Sequence, residues 1–193
     1  MWRCLLSCMG DSWMDALYEA AVLYKPLLHK DYHIVAAYRQ EQIRIKFIFL
    51  PEHFYHLVGF HKLLDLKALV QPRMLLHKVL SREITASVIR DSKFYADMED
   101  RLHDFGKLHE LIDLLQSGEI VIEFAQQNRT RIQADFLLFR KSTSVYTHLF
   151  LRHDQRYGYV PCSFFCRGDN KYIRNNKKYY IVDFSVSDYR QEE

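Results

Sequence analysis

The sequence predicts an α+β fold with N-terminal helices and a β-hairpin, a long central helix, and then a C-terminal antiparallel β-meander. The first observation is an apolar set that recurs in steps of three and four between residues 92 and 116. The second is a change to alternation with a period of two after Gly118. The third is that the links between the resulting strands are short, which favours antiparallel neighbours.

The N-terminal region is predicted to contain one helix and one hairpin. Asp11 or Ser12 can cap a helix that runs to about Tyr24. Two runs rich in β-forming residues follow at 32–38 and 43–50, and the polar link between them favours a hairpin. We expect residues 1–10 to be an unstructured N-terminal extension and residues 11–193 to form a single α+β domain.

The stretch from Pro51 to Leu66 contains three histidines and is predicted to form a short helix, because proline suits a first helical turn. His56 lies on the flank of the apolar arc, where a side chain can open on a cleft and titrate. His61 lies in the middle of the arc, which is typical of a structural core histidine, although a place in the site stays open. Gly59 inside a helix costs about 1 kcal/mol relative to alanine, so we expect another element to approach closely there.

The remaining elements follow from the same patterns. A short helix is predicted from Pro72 to about Ser81, and a turn near 85–89. Ser92 can cap the long helix, which runs to Gln116 and ends at Gly118. The five predicted C-terminal strands are 119–125, 131–140, 145–153, 157–166 and 178–186.

Positive charge is concentrated in one C-terminal region of the chain, and the remainder is acidic. Between Phe124 and Lys178 there are eleven Lys and Arg and three Asp, a local net charge of +8, whereas the remainder has 16 basic and 21 acidic residues. A basic C-terminal sheet, about residues 119–187, is therefore predicted to face an anion, and nucleic acid is the commonest such partner. Solvated charges at the strand ends would explain the same pattern without a ligand.

Four short motifs carry a resemblance to a known family. They are His56 to Gly59 followed by His61 to Asp65, then residues 134–139, 148–152 and 162–165. The first resembles the histidine-leucine-x-glycine signature of the phage-type nuclease-like families that are grouped with barnase, EndoU, the colicin ribonucleases and RelE. The others are similar to the C-terminal strands of that family, and the order agrees over roughly residues 30–187. The resemblance implies a small α+β domain with a proposed metal-independent RNA-cleaving activity.

Such cleavage needs a base for the 2′-hydroxyl proton, a cation for the charge on the phosphorane, and an acid for the leaving 5′-oxygen. Histidine serves as acid or base near neutral pH, and arginine can hold two phosphate oxygens at once. His56 is the first candidate, and His148, which shares a strand face with Arg152, is the second. The resemblance places Ser163 as a hydrogen-bond donor to phosphate. The candidates for phosphate contacts are Arg140, Arg152 and Arg167.

Cofactor and metal motifs are not evident in the sequence, so we expect neither a cofactor nor a metal. The cysteines form two C-x3-C pairs, Cys4/Cys8 and Cys162/Cys166, whose spacing differs from that of a zinc ribbon and favours free thiols. No apolar run approaches the roughly 20 residues that span a bilayer. We therefore expect a cytoplasmic protein with no membrane partner.

Two functions from different classes fit these observations. The first is a ribonuclease-like domain of a phage or mobile-element protein, such as a toxin, with RNA as substrate and an inhibitor or host protein as a further partner. It predicts that His56, Arg152 and Ser163 meet in one cleft within about 10 Å, the scale of a nucleotide contact. The second is a non-catalytic nucleic-acid- or protein-binding module on the same fold, with an open basic sheet and histidines buried against the long helix.

Overall fold

Strands that pair into a closed, mixed sheet form the frame of the molecule, and helices pack against it. The computed structural model describes residues 15–117, 120–124 and 130–189. Within these ranges the strands are β1 (Lys30–Tyr38), β2 (Glu41–Ile48), β3 (Ile120–Glu123), β4 (Phe136–Lys141), β5 (Tyr146–Asp154), β6 (Gly158–Arg167) and β7 (Lys177–Asp188). The helices are α1 (Ala16–Tyr24), α2 (His53–Leu57), α3 (Pro72–Leu80), α4 (Ala86–Arg90), α5 (Ala96–His103) and α6 (Gly106–Leu114).

The predicted N-terminal helix and hairpin are both present. Asp15 caps α1, because its carboxylate accepts a hydrogen bond from the Tyr18 amide at 3.0 Å. The same carboxylate accepts from the Ala86 amide at 3.2 Å and so ties α4 to the start of α1. β1 and β2 pair antiparallel, as predicted. The proposed caps at 11 and 12 and the extension over 1–10 lie outside the described residues.

The sheet order differs from a simple meander. β3, β4, β5 and β6 are consecutive antiparallel neighbours, but β7 pairs with β3 and β1 rather than with β6. A short parallel contact, Phe47 opposite Tyr159, joins β2 to β6, so the order β1-β2-β6-β5-β4-β3-β7 closes on itself. Closure pairs strand edges that an open meander would leave exposed, which is its physical advantage.

The prediction of one long helix is wrong, because two shorter helices, α5 and α6, occupy that part of the chain. α5 ends at His103 and α6 begins at Gly106, with Asp104 and Phe105 in a turn between them. Both helices bury their apolar side chains in the same core, so the spacing of three and four continues across the break. Periodicity alone therefore does not reveal the break.

Two buried clusters stabilise the fold. The main core joins apolar side chains of all six helices to one face of the sheet, and includes Phe105, Leu138 and Phe164. A second cluster covers the other face of β3, β4 and β5, where Phe150 meets Tyr172 from the segment after β6. The strands are thus covered on both faces there, and the functional cleft opens beside the second cluster.

Candidate active site

An open cleft of about 620 Å³ brings most of the predicted site residues together. Its walls come from α2 and the turn that follows it, from α5, from residues 130–133, and from β5 and β6. His56, Arg152 and Ser163, which were predicted to meet in one cleft, all line it. The charged and polar side chains that line it include His56, His61, Arg101, Arg152, Ser163 and Arg167, and also two carboxylates of α5, Asp97 and Asp100.

The two cleft histidines are positioned by a break in the predicted helix. α2 ends at Leu57, and Gly59 has a left-handed backbone with φ of 90° before a 3-10 turn over Phe60–Lys62. This change of direction sets the imidazole of His61 against that of His56, with their ring centroids 5.2 Å apart. His56 is exposed and His61 is half-buried. The central stretch is therefore a short helix and a turn, rather than one helix.

The close approach predicted at Gly59 is confirmed, and the approaching side chain is Arg101 of α5. A Cβ atom built on Gly59 would lie 2.9 Å from the Arg101 Cδ. The guanidinium Nη1 donates a hydrogen bond to the His56 carbonyl at 3.3 Å. Burial lowers the pKa of Arg101 to about 10, so the group remains cationic at neutral pH. Gly59 thus allows the Arg101 side chain to pack against the turn that carries the two histidines.

An irregularity in the sheet places Ser163 in the cleft. In the β5–β6 pairing, Phe150 lies opposite Ser163 and Leu151 lies opposite Pro161, so Cys162 is an extra residue on β6. Such a bulge changes the direction of neighbouring side chains, and bulges are common beside active sites. Cys162 and Ser163 both line the cleft, although residues next to each other in a regular strand face opposite sides.

The histidines of the cleft are held in their neutral forms. Loss of hydration is the largest effect that lowers the pKa of His56, followed by the positive charges of Arg152 and Arg101. Burial lowers the pKa of His61 to about 4, and Arg101 again contributes. Both rings can therefore accept a proton at neutral pH, which is the requirement for a general base.

The cationic residues differ in how free they are to bind a ligand. Arg152 is exposed and forms no ion pair with any residue that the structure describes. Arg167 also lines the cleft, but its guanidinium donates to Asp169 at 2.7 and 3.1 Å. Arg140 lies outside the cleft lining and is paired with Glu110 at 2.7 Å. Part of the basic character predicted for this region is thus neutralised within the protein.

His148 occupies a different environment from the one that its strand position suggested. Its side chain is 0% exposed and does not line the cleft, and among the described residues neither ring nitrogen has a hydrogen-bond partner of normal geometry. The reason is that Tyr172, from the segment after β6, covers this face of β5. Burial lowers the pKa of His148 to about 4. A direct acid/base role would require exposure that this conformation does not give.

Sequence reasoning missed Arg101 and the wall formed by residues 130–133. Arg101 lies on a helix that was interpreted as core, and its place in the site depends on how α5 packs against Gly59. Residues 131–135 were predicted as strand, but β4 begins at Phe136. Thr130, Arg131 and Gln133 line the cleft instead. The signal that was available was Gly59, whose position predicted a close neighbour without identifying it.

The structure also bears on the predictions about metal sites, cysteines and membrane-spanning helices. Among the described residues, no three His, Cys, Asp or Glu side chains converge as a metal-binding group. Cys162 and Cys166 are free thiols, and burial raises the pKa of each to about 11, whereas Cys4 and Cys8 lie outside the described residues. In the part of the chain that the structure covers, no helix has the length and apolarity needed to cross a membrane.

The cleft of this small α+β domain combines neutral histidines with arginines, and these are groups that can accept a proton and hold a phosphate. The chain matches the phage-Barnase-EndoU-ColicinE5/D-RelE like nuclease4 family over residues 16–192, and it belongs to that family. The resemblance seen in the short motifs is thereby confirmed. Family membership makes this a nuclease-like domain and implies a nucleic-acid substrate. No significant match was found among curated proteins or among solved structures.

Proposed function

We propose that this domain cleaves RNA without a metal ion, and that His56 acts as the base that takes the 2′-hydroxyl proton. The observation that carries the proposal is the position of His56 in the cleft. It is an exposed imidazole with a lowered pKa, and it shares the cleft with Arg152 and Ser163. A neutral imidazole beside cationic groups is the arrangement that 2′-oxygen attack on phosphorus requires.

The reaction proceeds by transfer of a phosphoryl group within the RNA chain. When His56 accepts the 2′-hydroxyl proton, the 2′-oxygen forms a bond to phosphorus and the bond to the 5′-oxygen breaks. The 5′-oxygen takes up a proton, and the products are a 2′,3′-cyclic phosphate and a 5′-hydroxyl. Arg152, which has no ion-pair partner among the described residues, offers two donors to the phosphorane oxygens, and Ser163 adds a hydroxyl donor.

His61 is the nearest second imidazole for protonating the leaving oxygen, since its ring centroid lies 5.2 Å from that of His56. Its pKa of about 4 describes the cleft without substrate. A bound phosphate places negative charge beside both rings and favours their protonated forms, so the pKa of each rises. This proposal assigns no chemical step to His148 or Arg140.

Cleavage of total RNA and of transfer RNA in excess EDTA tests the proposal. We expect the wild type to cleave, His56→Ala to lose about 10²- to 10⁴-fold in rate, and a matched variant, His77→Ala, to keep the wild-type rate. His77 is an exposed histidine on α3 that does not line the cleft. Products that end in a 2′,3′-cyclic phosphate identify attack by the 2′-oxygen.

Each part of the proposed function has its own experimental result that would contradict it. Cleavage that EDTA abolishes would contradict metal independence, and equal rates for wild type and His56→Ala would remove His56 from the reaction. Cleavage of DNA at the same rate as RNA would exclude the 2′-hydroxyl as nucleophile. If the folded wild type cleaves no nucleic acid, the non-catalytic binding module is the better description. The toxin role, the inhibitor or host partner, and the cytoplasmic location stay predictions.

A further inference from the structure

The aromatic side chains of the cleft have no place in the chemistry proposed above. Phe165 on β6 and Tyr172 in the following segment both line the cleft, and their ring centroids are 5.6 Å apart. Phe165 is half-buried and Tyr172 is 8% exposed. Only Phe165 therefore presents a substantial part of its ring to the cleft, and an exposed aromatic face gains free energy when a flat apolar ligand covers it.

Phe165 lies one strand step from the proposed phosphate position. It is two residues beyond Ser163 on β6, so the two side chains are about 7 Å apart along the strand and on the same face. One nucleotide is large enough to contact both, with its phosphate at Ser163 and its base at Phe165. The 620 Å³ of the cleft also accommodates a nucleotide.

The buried ring of His148 packs against Phe165. The His148 imidazole stacks on Phe165 with a centroid distance of 5.2 Å and an angle of 28° between the planes. It also stacks on Phe150 at 6.1 Å and 8°. The flat imidazole completes a stack of aromatic rings, which gives a reason for its position. His148 therefore packs directly against the Phe165 ring.

Cations flank both rings on the cleft side. The Arg101 guanidinium carbon lies 5.7 Å from the Phe165 centroid, and that of Arg167 lies 5.7 Å from the Tyr172 centroid. Guanidinium planes and aromatic rings together stack unpaired bases, while arginines along a groove hold the phosphates. A base within a duplex is already stacked on its neighbours and cannot use such a surface.

From these contacts we infer that Phe165, supported by His148 and flanked by Arg101, is a stacking site for an unpaired nucleobase. The substrate is then a single-stranded or locally unpaired nucleic acid, in which the base next to the bound phosphate lies on Phe165. This inference rests on the proposed function for the position of the phosphate in the cleft. It adds that the substrate is single-stranded or locally unpaired, and that Phe165 is the residue that recognises its base.

The test compares strands that differ only in their bases and cannot react by 2′-oxygen attack. The ligands are a fluorescent single-stranded 2′-deoxy tetranucleotide, the same backbone with all bases removed, and a blunt duplex. We expect the wild type to bind the complete strand at least about tenfold more tightly than the abasic strand at the same salt concentration. Phe165→Leu should remove most of this difference, while its affinity for the abasic strand is unchanged.

A matched variant and an independent signal complete the design. Phe136→Leu changes a half-buried phenylalanine whose ring contacts Tyr159 away from the cleft, and it should retain the wild-type preference. A tetranucleotide containing 2-aminopurine should lose fluorescence on binding to the wild type, because stacking quenches this base. The fluorescence measurement uses only the wild type, so its result can be interpreted even if Phe165→Leu does not fold.

The outcomes distinguish the inference from the proposed function. Equal affinity of the wild type for complete and abasic strands, or tighter binding of the duplex, would overturn the inference even if RNA is cleaved. An equal loss for both strands in Phe165→Leu, or unchanged 2-aminopurine fluorescence, would also overturn it. Base-dependent binding by a wild type that cleaves no RNA would support the inference and contradict the proposed reaction.

Discussion

Loss of hydration is the largest cause of the lowered pKa of His56, and two arginines from different elements add to it, Arg152 on β5 and Arg101 on α5. A positive charge nearby disfavours the protonated imidazole, so each arginine lowers its pKa. We expect Arg152→Gln to raise the pKa of His56 toward its ordinary value, as followed by NMR titration of the imidazole C2 proton. In a cleavage assay the acidic limb of kcat/KM should move to higher pH, because more alkaline solution is then needed to deprotonate the ring.

Arg140→Gln is the control for this prediction, since Arg140 is paired with Glu110 outside the cleft. It should leave the titration of His56 unchanged. An identical midpoint in wild type and Arg152→Gln would show that Arg152 does not act on His56 electrostatically.

At the residue scale, the sequence predicts location where a side chain's own position carries the information. A flank position on a helix predicts that His56 opens on a cleft, and His56 is exposed and lines one. Arg101 was not selected, because its contact with His56 depends on the packing of two elements more than 40 residues apart in sequence. His148 shows a different limit. Alternation along β5 predicts the strand face on which His148 lies, but it cannot show that Tyr172 covers that face.

At the scale of elements, two glycines interrupt helical patterns for different reasons. Gly59 has a φ of 90° and no room for a Cβ, whereas Gly106 lies at the start of α6, where the nearest atom to a Cβ would be Leu23 Cδ1 at 4.0 Å. We expect Gly59→Ala to lower the free energy of unfolding by about 1–2 kcal/mol. Gly106→Ala should raise it by up to about 1 kcal/mol. Urea denaturation of both variants beside the wild type measures these changes.

The opposite signs make the two glycine variants controls for each other. If both variants lose the same stability, the left-handed backbone at Gly59 is not the cause. Gly59→Ala should also disturb the titration of His56, because the new methyl group displaces Arg101, while Gly106→Ala should not.

The elements themselves were predicted better than their connections. The hairpin β1–β2 and the strands after residue 119 follow from alternation, because one face of each strand is buried. The break between α5 and α6 does not alter the apolar spacing, since both helices contact the same core. The pairing of β7 with β1 joins residues that are about 150 positions apart, and local patterns carry no information about such a partner.

For the whole molecule, the buried histidines predict that stability decreases in mild acid. Burial lowers the pKa values of His53, His61 and His148 to about 4 in the folded protein, against 6.5 for ordinary histidine. Between these values the unfolded chain binds protons that the folded protein does not bind. The stabilisation is therefore fully present above pH 6.5 and is lost as the pH falls toward 4.

His148 offers the sharpest test, because its side chain is completely buried. Between pH 7 and pH 5 its contribution to the free energy of unfolding should fall by about 2 kcal/mol. His148→Phe keeps a flat ring for the stack with Phe165 and cannot be protonated, so its stability should fall by about 2 kcal/mol less than that of the wild type over this range. Exposed His77→Gln should behave as the wild type in urea denaturation at both pH values. A variant His148→Phe that loses as much stability as the wild type would mean that His148 is hydrated or hydrogen-bonded in solution, and the rigid support inferred for the base-stacking site would then need another source.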